Sequence, residues 1–194
     1  MLAPMLGLVI AFLPWIILAV LGNRWLVLAL ALALAAAGVT TARQLLSRSP
    51  KILDAVTFAF FVFVAVGVIG FGWMILATYM TLLVNVTLMA IAWGSLLVGK
   101  PFTIQYAREQ VPQGLWRSPV FIRINQIITA VWGLDFSLSA LVSLYRHATG
   151  DTSLASEYAW VLFSVGAAVF TVYFPDWYRA RALRPADSGG GSPA

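Results

Sequence analysis

The sequence predicts an all-α protein, a polytopic bundle of six transmembrane helices with both ends in the cytoplasm. Three observations predict it. Hydrophobic residues make up 61% of the 194 positions and charged residues 10%, against about 25% charged in a soluble domain, so much of the surface must face lipid. Apolar runs near the roughly 20 residues needed to cross the hydrocarbon core recur along the chain. Finally, ten of the twelve Lys and Arg fall on alternate connections between those runs, as they do on the cytoplasmic side of membrane proteins.

The first run covers residues 4–22. Met1 to Val9 contains no Lys or Arg, and a secretory signal needs a basic n-region, so this run reads as the first span. Gly22, Asn23 and Arg24 break it. Residues 25–45 form a second, Ala/Leu-rich run with strong helix propensity. From Ala55 to Gly99 no residue carries a charge. As one helix this stretch would measure roughly 67 Å, more than twice the core thickness. It must fold back, and Gly70-Phe71-Gly72 is the expected turn because glycine tolerates turn dihedrals. Spans three and four are therefore expected at 55–71 and 75–99. Spans five and six follow at 124–145 and 158–174. Trp25, Trp73, Trp116, Tyr158, Trp177 and Tyr178 fall near span ends, as interfacial aromatics do. Residues 1–184 thus form one transmembrane domain, and 185–194, rich in Gly, Ser and Ala, reads as a disordered tail.

Each cytoplasmic exit carries a similar sequence: Ala42-Arg43-Gln44 with Arg48-Ser49-Pro50, Ala107-Arg108-Glu109-Gln110 with Arg117-Ser118-Pro119, and Ala180-Arg181-Ala182 with Arg184-Pro185. Either three helical hairpins repeat in parallel, or these residue types simply recur where helices leave the membrane.

Several chemistries are excluded. There is no cysteine, so disulfides, thiolate catalysis and Cys-ligated metal are absent. His147 is the one histidine, which rules out a two-histidine metal or haem site within the chain. No nucleophile triad, metal motif or phosphate-binding glycine loop is found, so neither an enzyme nor a cofactor is expected. Positive charge that topology explains gives no reason to expect nucleic acid.

Two places concentrate polarity. Asp135 lies near the middle of span five, where a carboxylate costs at least about 2.5–3.5 kcal/mol. It shares a helical stripe with Asn125, Thr129, Trp132, Ser139 and Ser143. On span four, Thr78, Thr81, Asn85 and Ser95 follow helical spacing, and Asn85 is the expected partner of Asp135. A midplane site of Asp135, Asn85, Ser139 and Thr81 would serve proton coupling or cation binding. The same residues would equally serve as hydrogen-bonded glue between helices. The second place is the 100–123 segment, where Lys100, Arg108, Arg117 and Arg123 alternate with Phe102, Tyr106, Trp116 and Phe121. Pro101 and Pro112 would bound a short interfacial helix there. Such a surface suits anionic lipid headgroups, a docking protein, or the topology signal alone. His147 is expected as a solvated loop residue at the far end of span five, or as a pH-responsive one.

In that cytoplasmic segment Lys100-Pro101, Gln105, Glu109, Pro112, Trp116 and then Asn125 resemble the pattern of the intracellular septation protein A family of bacterial inner-membrane proteins. Pro50-Lys51-Ile52-Leu53, running into Val56-Thr57-Phe58, is similar to the start of that family's third span. The similarity covers roughly residues 40–175, and Asp135 is not part of the pattern. The resemblance implies a multi-pass protein of the bacterial inner membrane with a non-enzymatic role in the cell envelope or in division. Its partners would be membrane lipids, anionic ones among them, and envelope or division proteins. The alternative is a small secondary transporter or lipid-translocating protein with its site at Asp135, since transporters place their sites at that depth.

Overall fold

The computed structural model describes residues 3–182, which are helical apart from short turns, with no strand among them. The 185–194 tail lies outside the described residues. The chain runs through α1 (Ala3–Leu21), α2 (Leu26–Leu46), α3 (Ile52–Ala65), α4 (Met74–Thr78), α5 (Met80–Leu97), α6 (Phe102–Ala107), α7 (Pro119–Thr149) and α8 (Leu154–Ala182). Among the described residues, five helical stretches are long and apolar enough to cross a membrane: Leu26–Leu46, Ile52–Gly70, Met80–Leu97, Pro119–Thr149 and Leu154–Ala182. Gly7–Leu21 is a shorter apolar helix. Large apolar side chains point outward all round, among them Val20, Val62, Leu97, Leu141 and Leu162. Aqueous proteins do not expose apolar surface on this scale, which points to a membrane protein.

The uncharged 55–99 stretch folds back where glycine allows it. The last turn of α3 widens into a π-helical turn, Val66–Gly70, and Gly72 adopts φ +67°. The return helix is not continuous. It breaks at Tyr79, between the five-residue α4 and α5, although neither glycine nor proline marks the place. The last two long helices run further than their apolar cores. α7 has 31 residues, with Pro119 in its first turn and Gly150 as a left-handed C-cap. α8 has 29 residues and carries Pro175 inside it.

Packing divides the helices into two groups of three. α2 lies between α1 and α3, and α7 lies between α5 and α8, while α3 and α5 touch only lightly. The three-hairpin arrangement therefore holds for α1/α2 and α7/α8 but not for the middle pair, whose members each pack on another helix. Small residues let α2 approach its neighbours, with Ala29, Ala33 and Ala37 fully buried. In the second group Gly133 of α7 receives the indole of Trp93 from α5, and the Trp93 N–H donates to Ser137 Oγ at 3.1 Å. The short α6 lies at one end of the bundle and touches α1, α5 and α7, joining the two groups.

Candidate functional site

The expected interfacial helix exists, but it is shorter than the prolines suggest and is buried. α6 begins after Pro101, as expected. It ends at Ala107, and tight 3-10 turns over Arg108–Gln110 and Gln113–Leu115 complete the segment. Ser95 Oγ accepts from the Phe102 N–H at 3.1 Å, fixing the start. Phe102, Thr103, Ile104 and Tyr106 are all buried. Thr103 donates to the Asn125 carbonyl at 3.1 Å, and its hydroxyl lies 2.8 Å from that of Thr129. Two residues of the α7 stripe thus serve to hold α6.

On its other side α6 enters a polar knot with the α2–α3 connection. Asp54 is 2% exposed. Its Oδ2 accepts from the Tyr106 hydroxyl at 2.5 Å and from the Gln44 side-chain amide. Gln44 Oε1 in turn accepts from the Lys51 N–H at 2.9 Å, and Gln105 Oε1 accepts from the Ile52 N–H at 2.8 Å. The Lys51 ammonium sits 4.4 Å from the centre of the Tyr106 ring and pairs with Glu109 at 2.6 Å. Burial, and then the charge of Asp54, push the Tyr106 phenol above its ordinary range. The hydroxyl is therefore a donor at any physiological pH. Sequence reading missed this knot. Lys51, Gln105 and Glu109 all belong to the septation-type pattern, and those residues meet here.

Lys100, Arg108, Arg117 and Arg123 are exposed at the same end. The ion pairs among the described residues are Lys51–Glu109 and Arg179–Asp176, so none of these four cations is neutralised by a carboxylate. Arg108 stacks over Trp116 at 5.3 Å, and the Trp116 indole donates to the Val111 carbonyl at 2.8 Å. The structure brings only two of the four together. Arg117 and Arg123 flank an open groove of about 520 Å³ between the start of α7 and the end of α8. Gln126 and Tyr178 complete its polar lining, Val120 and Ile122 are among its apolar walls, and no carboxylate lines it. The first turn of α7 has no side-chain cap, so its leading N–H groups add positive potential to the groove.

The midplane residues do not assemble as expected. Asp135 is buried on α7, and its carboxylate accepts from Ser164 of α8 at 3.1 Å and from Ser139 at 3.4 Å. Asn85 is also buried, but its amide donates to the Thr81 carbonyl within its own helix at 2.9 Å. The Thr81 side chain is exposed. The contacts of Trp93 with Ser137 and of Tyr79 with His147 set the α5–α7 register. That register carries Asn85 towards the His147 end, away from Asp135. The groove described above stops at Gln126, and a smaller cavity of about 120 Å³ reaches Asn125, Ile128 and Thr171; Asp135 lines neither of these two. Among the described residues no cluster of three potential metal ligands occurs.

No family model, curated protein or solved structure matches this chain. Its functional reading rests on its own residues.

Proposed function

We propose that the chain is a six-span protein of the bacterial inner membrane, with α1 completing the spans and both ends cytoplasmic. It would act in envelope or septum assembly through lipid and protein contacts rather than through catalysis. The observation that carries this reading is the groove between Arg117 and Arg123. Its depth suits a lipid phosphate. α7 would be about 46 Å long, against a hydrocarbon core of about 30 Å. With Asp135 near the midplane, Arg123 lies about 18 Å away along the axis, just outside the core, where headgroups begin. Two cations without carboxylate partners, a phenol, an amide and an uncapped helix start form a donor set for one anionic headgroup. The buried α6 gives that donor set a rigid support.

The test is lipid retention in native mass spectrometry, from nanodiscs mixing phosphatidylglycerol and phosphatidylethanolamine. The protein is expected to hold phosphatidylglycerol preferentially. Each basic residue near a surface contributes about 1 kcal/mol, so Arg117→Gln with Arg123→Gln should weaken retention roughly thirtyfold. Arg43→Gln with Arg48→Gln removes the same charge at the same end but outside the groove, and should leave the preference in place. Equal losses in the two double variants would reduce the groove to general surface charge.

One observation favours the transport reading as the second. The span that returns through α4 and α5 is interrupted, and Asp135 presents a carboxylate with two hydroxyl donors between α7 and α8. In the contact reading those hydrogen bonds are glue. Asp135→Asn keeps an acceptor for Ser164, so it is expected to fold and to retain lipid like the parent. A proton-dependent flux in proteoliposomes that is abolished by Asp135→Asn would promote transport to first place.

A further inference from the structure

Pro175 lies inside α8. It has no N–H, so it cannot donate to the Thr171 carbonyl as a residue at that place in a helix otherwise does. That carbonyl needs another donor, and in membrane bundles ordered water serves among others. The cavity of about 120 Å³ between α1, α6, α7 and α8 has both Thr171 and Pro175 in its wall. Thr103 of α6 and Asn125 of α7 add further polar groups to the lining. A water takes about 30 Å³ and needs two to four polar partners, so the cavity has room and partners for several. Gln110 and Arg179 are its exposed lining residues, whereas Asn125 and Ile128 are buried. The cavity therefore runs inward from the α6 end of the bundle. Arg179 pairs with Asp176 at 3.3 Å, so this ion pair adds no net charge at the mouth.

Trp132 stands at the inner end. It follows Ile128 by one helical turn, and its indole N–H donates to the Thr171 hydroxyl at 3.1 Å. That hydroxyl in turn donates to the Ala167 carbonyl at 2.8 Å. The indole is buried, with Phe12 stacked on it at 5.1 Å between centroids and Phe136 at 5.6 Å. Asp135 comes next on α7, one turn beyond Trp132. Its bond to Ser164 at 3.1 Å joins the same two helices, α7 and α8, that the Trp132–Thr171 bond joins. Along the axis about 10 Å separates Ile128 from Asp135. The bridge from Trp132 to Thr171 occupies that interval.

We propose that this cavity is a hydrated path from the α6 end of the bundle towards Asp135, and that Trp132 closes it one turn short of the carboxylate. Its ligand is water and, through water, the proton. In the proposed orientation the path opens to the cytoplasm. The inference deepens the transport reading and rests on it for a function, while the path and its closure are independent of the lipid groove. Trp132 is here a positioning and sealing residue: its bulk separates the cavity from Asp135, and its N–H holds that bulk against α8.

The chain has no cysteine, so a single introduced thiol reports alone. The probe is silver ion in nitrate buffer, small enough to follow water. Its reaction is read by mass, as protection of the thiol from maleimide after unfolding. In detergent, the thiol of Ile128→Cys should be protected by silver and that of Ser164→Cys should not. Adding Trp132→Ala to Ser164→Cys should make the second thiol reactive, and Trp132→Leu provides the same comparison if the alanine variant does not fold. Trp93→Ala removes equal bulk on the α5 side and should leave Ser164→Cys unreactive. An unreactive Ile128→Cys would mean a dry cavity and overturn the path. Three results would overturn the closure: a Ser164→Cys that reacts with Trp132 in place, one that stays unreactive when Trp132 is replaced, or one that responds equally to Trp132→Ala and Trp93→Ala. In sealed vesicles silver is expected to reach Ile128→Cys from the cytoplasmic face. Reaction from the opposite face alone would overturn the proposed orientation, whereas the detergent result judges the path itself.

Discussion

Replacing Asp54 with leucine is expected to destabilise the protein by on the order of 3 kcal/mol, because a buried donor, the Tyr106 hydroxyl, and a half-buried one, the Gln44 amide, lose their acceptor at once. Asp54→Asn should be far milder, about 1 kcal/mol. Both donors meet the same oxygen, and the asparagine carbonyl can occupy that position. The contrast separates the need for an acceptor from the need for a charge. Tryptophan fluorescence melting in detergent reads it directly, with eight native reporters. Tyr106→Phe removes one of the stranded donors, so Asp54→Leu with Tyr106→Phe should be less destabilised than the sum of the two single variants. A melting temperature for Asp54→Leu within about 2 °C of the parent would mean that the knot does not hold the helices together.

The second large effect concerns Gly133. A Cβ built there would lie 2.9 Å from Trp93 Cε2 and 3.1 Å from Cζ2, distances at which the indole must move. The indole is tethered through its N–H to Ser137, whose hydroxyl donates to the Gly133 carbonyl at 2.7 Å. Displacing the ring therefore breaks the polar link as well as the packing between α5 and α7. Gly133→Val is expected to cost about 3 kcal/mol, at the upper end of overpacking effects. Gly166 is also in a helix, but a Cβ there meets nothing within 4 Å. Gly166→Ala should accordingly be neutral or stabilising by about 0.5–1 kcal/mol through helix propensity. Equal melting shifts for the two variants would show that the Trp93 contact carries no stability.

The helices were legible in the sequence because hydropathy and charge act locally. The turn at 70–72, the start at Pro101 and the long apolar stretches all follow from residue types within a few positions of one another. Lengths were underestimated for α7 and α8, since apolar runs mark the lipid-covered part of a helix and not the turns beyond it. The break at Tyr79 left no trace because neither glycine nor proline marks it, and the ring that packs there, His147, comes far along the chain. Periodicity placed Asp135 on an inward face correctly, but it says nothing about which neighbour that face meets. Ser164 of α8 fills the place expected of Asn85. The knot was invisible for a related reason. Lys51 and Asp54 read as ordinary charges of a cytoplasmic connection, and only the arrival of Tyr106 and Glu109 turns them into a buried network. Lys51, Asp54 and Gln44 at close spacing beside an apolar run were the one available signal.

The division into two three-helix groups has a consequence for biogenesis. Chains are made from the N-terminus, so α1, α2 and α3 are synthesised before their companion group. Tyr106 follows Asp54 by 52 residues, which is several seconds of synthesis at roughly 5–20 residues per second. Through that interval Asp54 and Lys51 have Gln44 as their nearby partner, while their remaining partners are still unmade. The first group is thus held open at this end until α6 arrives to close it. The polar seal completes only once the α5 span has been synthesised, which ties closure of the early half of the bundle to progress of the late half.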